Sequence, residues 1–98
     1  MAVSVDHTLT PTVTSLGKVR ARHRATVTGA VRYVEVASHD CAASFTARIA
    51  DESGVIDCVF LGRRLVPGIE PGARIVAEGM VSDHKGVPTI FNPRYELS

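Results

Sequence analysis

The sequence predicts an all-β protein that folds as one five-stranded Greek-key barrel. Several segments alternate apolar and polar side chains with period two, which is typical of half-buried strands. No segment shows an apolar stripe of helical period, and turn residues separate the alternating segments. The 98 residues suffice for one domain, and 45% hydrophobic with 21% charged residues is typical of a globular chain.

The first predicted strand is long and bent, and it runs from about residue 23 to residue 36. Alternation begins near Lys18 and places five small apolar residues on one parity: Val19, Ala21, Ala25, Val27 and Val31. Val34 and Val36 fall on the opposite parity, and Gly29 lies before them. Because glycine inside a strand often marks a bulge or a bend, we expect the strand to switch faces near Gly29.

A hairpin is predicted next. Phe45, Ala47 and Ile49 alternate with polar residues in a second strand, and Ile56, Cys58 and Phe60 do so in a third. Between them, residues 51–54 read Asp-Glu-Ser-Gly, in which Gly54 can adopt a positive φ. Val59 and Leu61 take the outward parity and would form an exposed apolar patch.

A connector of residues 62–72 separates the third strand from the fourth. It contains two Pro-Gly turns, which forbid a regular strand and leave room for at most a short helical turn.

A second hairpin follows the connector, with strands at 74–81 and 87–91 around the turn 83–86. This order, with its Pro/Gly-rich connector between strands 3 and 4, is the layout of the OB-fold barrel. An SH3-like barrel is the alternative, but it would lack the long connector. We expect residues 16–98 to form the barrel and residues 1–15 an irregular lead-in.

Short motifs in the same order support this prediction. They are Ala-Thr-Val-Thr-Gly-Ala-Val at 25–31, Ala-Asp-Glu-Ser-Gly-Val-Ile at 50–56, Gly-Arg-Arg at 62–64, Glu-Gly-Met-Val at 78–81 and Phe-Asn-Pro-Arg-Tyr-Glu-Leu at 91–97. Over residues 16–97 the chain resembles the wedge OB domain of RecG-type helicases, small stand-alone bacterial OB-fold proteins and the anticodon-binding OB group. OB barrels perform many tasks, so the resemblance is more specific for fold than for function.

The resemblance implies a ligand lying across strands 2 and 3, between the β1–β2 and β4–β5 loops. That surface would include Ser44, Thr46, Arg48, His39, Asp40, His84 and Lys85. Single-strand binders stack bases on aromatic side chains, and this chain is only 5% aromatic. Phe45 and Phe60 share the core parity, so Tyr33 is the aromatic side chain that we expect to be available for stacking.

Basic residues concentrate near the start of the chain. Residues 1–34 carry five basic side chains and one acidic one, whereas residues 35–98 carry six and nine. Lys18, Arg20, Arg22 and Arg24 would share one face if their segment were extended, with a spacing of about 6.6–6.8 Å. The alternatives are a turn at 18–22 and a merely solvated face. Two of the predicted nucleic-acid contacts are uncharged, Tyr33 and Thr46. The others are cations: Arg20, Arg22, Arg24, Arg32, Arg48, Arg63, Arg64 and Lys85.

These features predict a nucleic-acid-binding module without enzymatic activity. It would bind single-stranded DNA or RNA electrostatically with little sequence preference. No nucleophile elbow or phosphate-binding glycine loop is present in the sequence, and we expect no cofactor and no metal site. The alternative to this expectation is a zinc site formed by His39, Cys41 and His84, although their spacing is not a standard one.

The alternative function is a protein-interaction or assembly module, including self-association. We expect a cytoplasmic protein, because two cysteines without CxxC spacing and no visible signal peptide or spanning segment favour that compartment.

Overall fold

The computed structural model describes residues 13–39 and 42–98, with the side chain of His39 excepted. Strands form where the alternation predicts them: β1 at Arg24–His39, β2 at Ala42–Ala50, β3 at Val55–Leu61, β4 at Arg74–His84, β5 at Val87–Phe91 and β6 at Arg94–Leu97. A short 3₁₀ helix, Leu16–Lys18, precedes them. Most of the predicted lead-in and the loop residues Asp40 and Cys41 lie outside the described residues.

Five strands close into a ring in the order β1-β2-β3-β5-β4, with β4 pairing back onto β1. All pairs are antiparallel except β3 with β5. The ring buries a core of the inward-facing residues, among them Phe45, Phe60 and Cys58 as predicted from their parity. Burial raises the pKa of the Cys58 thiol to about 12, so this cysteine is a small apolar core residue and not a nucleophile.

The face switch of β1 is a bulge at Arg32, not at Gly29 as predicted. Val31 pairs with Ile49 and Tyr33 pairs with Arg48, so Arg32 is the extra residue. Gly29 serves a different purpose, because a Cβ there would lie 2.5 Å from Ile49 Cγ2 and 2.6 Å from the Ala50 carbonyl oxygen. Glycine is therefore needed for the close approach of β1 to β2, and the bulge follows three residues later, at Arg32.

The segment before β1 turns back instead of extending the strand. Arg22 has a φ of 68°, in the left-handed region that reverses the chain, and the His23 N–H donates to the Arg20 carbonyl. The prediction that Lys18 to Arg24 are extended is therefore wrong, and the alternative prediction of a turn is confirmed.

The connector between β3 and β4 spans residues 62–73, all of which the structure describes. These residues contain turns and neither a helix nor a strand, and the buried side chains of Val66 and Ile69 anchor them in the core.

A sixth strand, which the sequence analysis did not predict, extends the sheet beyond the ring. Residues Arg94–Leu97 pair with Ile75–Glu78 of β4 after a break at Asn92, whose φ is 52°. Arg94 lies 3.6 Å from the buried carboxylate of Glu78, its register partner on β4. Lys85 and Gly86, both with positive φ, make the β4–β5 turn a two-residue one.

The β2–β3 hairpin is organised by the Asp51 carboxylate. It accepts the Leu16 N–H at 2.9 Å and the N–H groups of Ser53 and Gly54 at 2.6 and 3.0 Å. Gly54, for which the sequence allowed a positive φ, is not among the residues with one. It packs instead against the 3₁₀ helix, since a Cβ there would lie 3.2 Å from the Gly17 nitrogen.

Asp51 gives a testable pH dependence. The Leu16 N–H, followed by Ser53 and Gly54, lowers the pKa of Asp51 from 3.8 to about 2. A lowered pKa stabilises the fold above the unfolded value, and this stabilisation is lost as the pH falls through the folded value. We expect the thermal midpoint of the wild type to fall between pH 4 and pH 2 by more than that of Asp51→Asn. Calorimetry that shows the same fall in thermal midpoint for the wild type and for Asp51→Asn would contradict this role of Asp51.

Candidate functional site

The outward side chains of β1, β2, β3 and β5 form one continuous surface. Thr46 of β2 lies opposite both Glu35 of β1 and Val59 of β3, and Val59 lies beside Phe91 of β5. The neighbours of Thr46, Val59 and Phe91 that point inward are buried in the core, namely Phe45, Ala47, Cys58, Phe60 and Ile90. This surface, hereafter the sheet face, consists of Tyr33, Glu35, Ser44, Thr46, Arg48, Asp57, Val59, Leu61 and Phe91.

An ion pair and an aromatic ring occupy the centre of the sheet face. Arg48 donates from Nε to Asp57 Oδ1 at 2.7 Å and from a terminal nitrogen to Oδ2 at 3.0 Å. Its guanidinium carbon lies 5.3 Å from the centre of the Tyr33 ring, a cation–π distance. The hydrogen bond to Asp57, followed by coulombic attraction, raises the pKa of Arg48. Its charge is therefore offset by Asp57, and a phosphate would have to compete for these two donors.

Two aromatic side chains are exposed on this surface. Tyr33 keeps 42% of its surface accessible and Phe91 keeps 39%. The His84 ring stands edge-on to Phe91 with centroids 6.0 Å apart, which extends the aromatic surface toward the β4–β5 turn. Sequence reasoning gave no role to Phe91. The alternation of the strand could have identified it. Ile90 precedes Phe91 and is apolar, and adjacent residues of a strand point to opposite faces, so a buried Ile90 implies an outward-facing Phe91.

Cations lie at both ends of the sheet face. Since β3 and β5 are parallel, Arg63 and Arg64, which follow β3, lie at one end, and Lys85, which precedes β5, lies at the other. All three are exposed. The strand rise of about 3.3 Å per residue separates the two ends by roughly 25–33 Å.

The basic turn before β1 adds to the Lys85 end. The Arg22 N–H donates to the Val81 carbonyl at 2.6 Å, and the Val81 N–H donates to the His23 carbonyl at 2.9 Å. Val19 and Ala21 line a small cleft with Asp83, Gly86 and other residues of the β4–β5 hairpin. The fold therefore brings the exposed cations Arg20 and Arg22 of this turn, and Arg24 at the start of β1, toward the hairpin that carries Lys85.

Arg32 lies apart from these groups. At the bulge of β1 it lines a shallow cleft with Ala30, Ala50, Asp51 and Glu52. Two carboxylates at the β2–β3 hairpin thus share its surroundings and reduce the local positive potential. Of the predicted contacts, the structure places Tyr33, Thr46 and Arg48 on the sheet face and Arg32 outside it. The remaining predicted cations lie toward its two ends: Arg63, Arg64, Lys85, Arg20, Arg22 and Arg24.

Within residues 13–39 and 42–98, no group of three or more His, Cys, Asp or Glu side chains is arranged to hold a metal ion. The zinc hypothesis also involves the side chain of His39 and residue Cys41, which lie outside the described residues. In the same part of the chain, no helix is long and apolar enough to cross a membrane.

No protein-family model and no curated protein matches this sequence. The fold does match a solved structure, that of the replication factor A related protein from Methanobacterium thermoautotrophicum, determined in solution by NMR. The TM-score is 0.72 at 16% sequence identity, with 90% of this chain and 92% of that chain covered. At this identity the likeness shows the fold alone. Together with the closed five-strand ring, it confirms the predicted OB fold without distinguishing among OB subfamilies.

Proposed function

We propose that this OB domain is a binding module, not an enzyme, and that it binds single-stranded nucleic acid along its sheet face. The observation that carries the proposal is a pair of exposed aromatic rings, Tyr33 and Phe91, on a sheet face with cations at both ends. Aromatic platforms stack bases regardless of sequence, and basic groups follow the backbone. A replication factor A related protein with the same fold is consistent with this function.

The side chains divide into three roles. Tyr33 and Phe91 stack bases, and the Thr46 hydroxyl between them is a hydrogen-bonding group. Asp57 fixes Arg48, which fixes the Tyr33 ring through its cation–π contact. Phosphates contact the exposed cations at the two ends, namely Arg63, Arg64, Lys85, Arg20, Arg22 and Arg24. The net charge of only +1 makes binding weak at physiological salt. We place the module in the cytoplasm.

Fluorescence anisotropy of labelled 12-nucleotide single-stranded DNA, single-stranded RNA and duplex tests this function. The length falls within the about 4–16 nucleotides that one OB fold covers. We expect micromolar binding to single strands at low salt and weaker binding to duplex. Log affinity should fall against log salt with a slope of about −0.7 per phosphate contacted. Flat titrations with all three probes at low salt would overturn the proposal.

A second candidate function is protein interaction or self-association through the same surface. Leu61 is 52% exposed and lies on the sheet face beside the half-buried Val59 and the exposed Phe91. An exposed apolar cluster of this kind suits a protein partner. Light scattering at rising concentration discriminates the self-association form: a dimer that Leu61→Ser dissociates would favour it, and a monomer throughout would argue against it.

A further inference from the structure

Glu35 is a carboxylate on the sheet face that the fold does not use. It is exposed, lies opposite Thr46 and is two residues from Tyr33. Among the described residues, no cation lies within 4 Å of its carboxylate. The nearest cation along the sheet face, Arg48, is already bound by Asp57 through two hydrogen bonds.

A lone carboxylate repels phosphates, so the part of a nucleic acid that it can bind is a hydrogen-bond donor on a base. An ionised carboxylate only accepts hydrogen bonds, and its two oxygens can accept two parallel ones. Bases of single strands are splayed out and stacked on aromatic rings, which exposes their Watson–Crick edges. Residues two apart on a strand are about 6.6–6.8 Å apart on the same face. The edge of a base stacked on Tyr33 is therefore within reach of Glu35.

The bases differ in what they offer to a carboxylate. Guanine presents two adjacent donors, N1–H and the N2 amino group. Cytosine and adenine present one amino group beside an acceptor nitrogen, and thymine and uracil present one N–H between two carbonyl oxygens. Acceptors next to the donor repel the second carboxylate oxygen, so guanine is the best match.

We propose that Glu35 reads guanine at the position stacked on Tyr33, so that the module prefers single strands containing guanine. This inference rests on the proposed function and deepens it. It departs from the low sequence preference expected from the sequence, because the carboxylate contacts a base edge and not the backbone. The recognised chemistry is that of the base, which DNA and RNA share.

The test compares 12-nucleotide single strands in which thymine alternates with guanine, with inosine or with thymine. Inosine keeps N1–H and lacks the N2 amino group. A bidentate contact discriminates by about 5- to 150-fold, and we expect the wild type to bind the guanine strand about tenfold more tightly than the thymine strand. The inosine strand should fall between them. A parallel set of RNA strands reports whether the sugar matters.

Glu35→Gln should remove the preference for guanine while leaving the affinity for the thymine strand within about threefold. Glu96→Gln, which removes the same charge from the exposed face of β6, should keep the preference. Equal binding of all three strands by the wild type would overturn the inference. So would a Glu35→Gln variant that binds all three more tightly by one factor, since Glu35 would then act only as a repulsive charge. Failure of the wild type to bind any strand would instead overturn the proposed function.

Discussion

Replacing both Tyr33 and Phe91 with alanine is expected to abolish most single-strand binding. Removing one stacked aromatic costs about 1–3 kcal/mol per base, which is about 5- to 150-fold in affinity for each ring. Both rings are about two-fifths exposed, so their removal opens no buried cavity. We expect each single variant to weaken binding and the double variant to weaken it beyond either, by fluorescence anisotropy at constant low salt.

Met80→Ala is the matched control for this pair. Met80 is 47% exposed on β4, where it lies opposite Arg24 and outside the sheet face. Its replacement removes a comparable exposed apolar group and should leave the affinity unchanged. Thermal midpoints close to that of the wild type verify that all variants are folded. A Tyr33/Phe91 double variant that binds as tightly as Met80→Ala would place the nucleic acid elsewhere on the barrel.

The largest effect on stability is expected for Ile90→Ala. Ile90 is fully buried on β5, between Cys58 of β3 and Val81 of β4 in the register. Truncating such a residue removes apolar contacts and leaves a cavity, at about 2–5 kcal/mol. Urea unfolding should show this decrease in the free energy of unfolding with an unchanged m-value. A loss below 1 kcal/mol would mean that β5 is not packed into the ring as described.

Gly79→Ala tests the same packing from the opposite strand. A Cβ at Gly79 would lie 2.5 Å from Ile90 Cγ2, and the next contact is the Pro93 Cα at 3.8 Å. Overpacking of this kind costs about 1–3 kcal/mol. Since the Ile90→Ala variant lacks the clashing methyl, Gly79→Ala should cost much less in that background. Additive effects of the two substitutions would contradict this contact.

Period-two alternation predicted the barrel because each strand of a closed ring has one face in the core. The alternation in 45–49 and 56–60 therefore placed Phe45, Phe60 and Cys58 correctly. It was misleading at 18–24, because the basic residues continue the same alternation through a turn in which Arg22 adopts a left-handed conformation. An arginine with positive φ carries no signal in a single sequence.

Features that depend on register were harder to predict. The pair of Arg48 with Asp57 follows from the hairpin, since Ala50 pairs with Val55 and each step outward moves one residue along both strands. This pair could therefore have been predicted by extending the strand pairing outward from the turn at residues 51–54. Strand β6 could not have been predicted, because four residues after Asn-Pro are too few to show a clear pattern. These residues form a strand only because they pair with β4.

The outcome at Gly29 shows why one residue type can mislead. A glycine in a strand can mark either a bulge or a close approach of two backbones. In β1 the two are separated: Gly29 meets Ile49 and Ala50, and the bulge is at Arg32. Only the tertiary packing distinguishes them, because neither requires a positive φ at Gly29.

The most direct test of the central claim is an NMR titration of the ¹⁵N-labelled protein with a 12-nucleotide single strand. The proposal predicts that amide shifts change at Tyr33, Glu35, Thr46, Val59 and Phe91, with further changes near Arg63 and Lys85. Residues of β6 and of the connector near Ile69 should be unaffected. Changes confined to β6 and the exposed part of β4, or none at saturating strand concentration, would contradict the assignment of the sheet face as a nucleic-acid-binding surface.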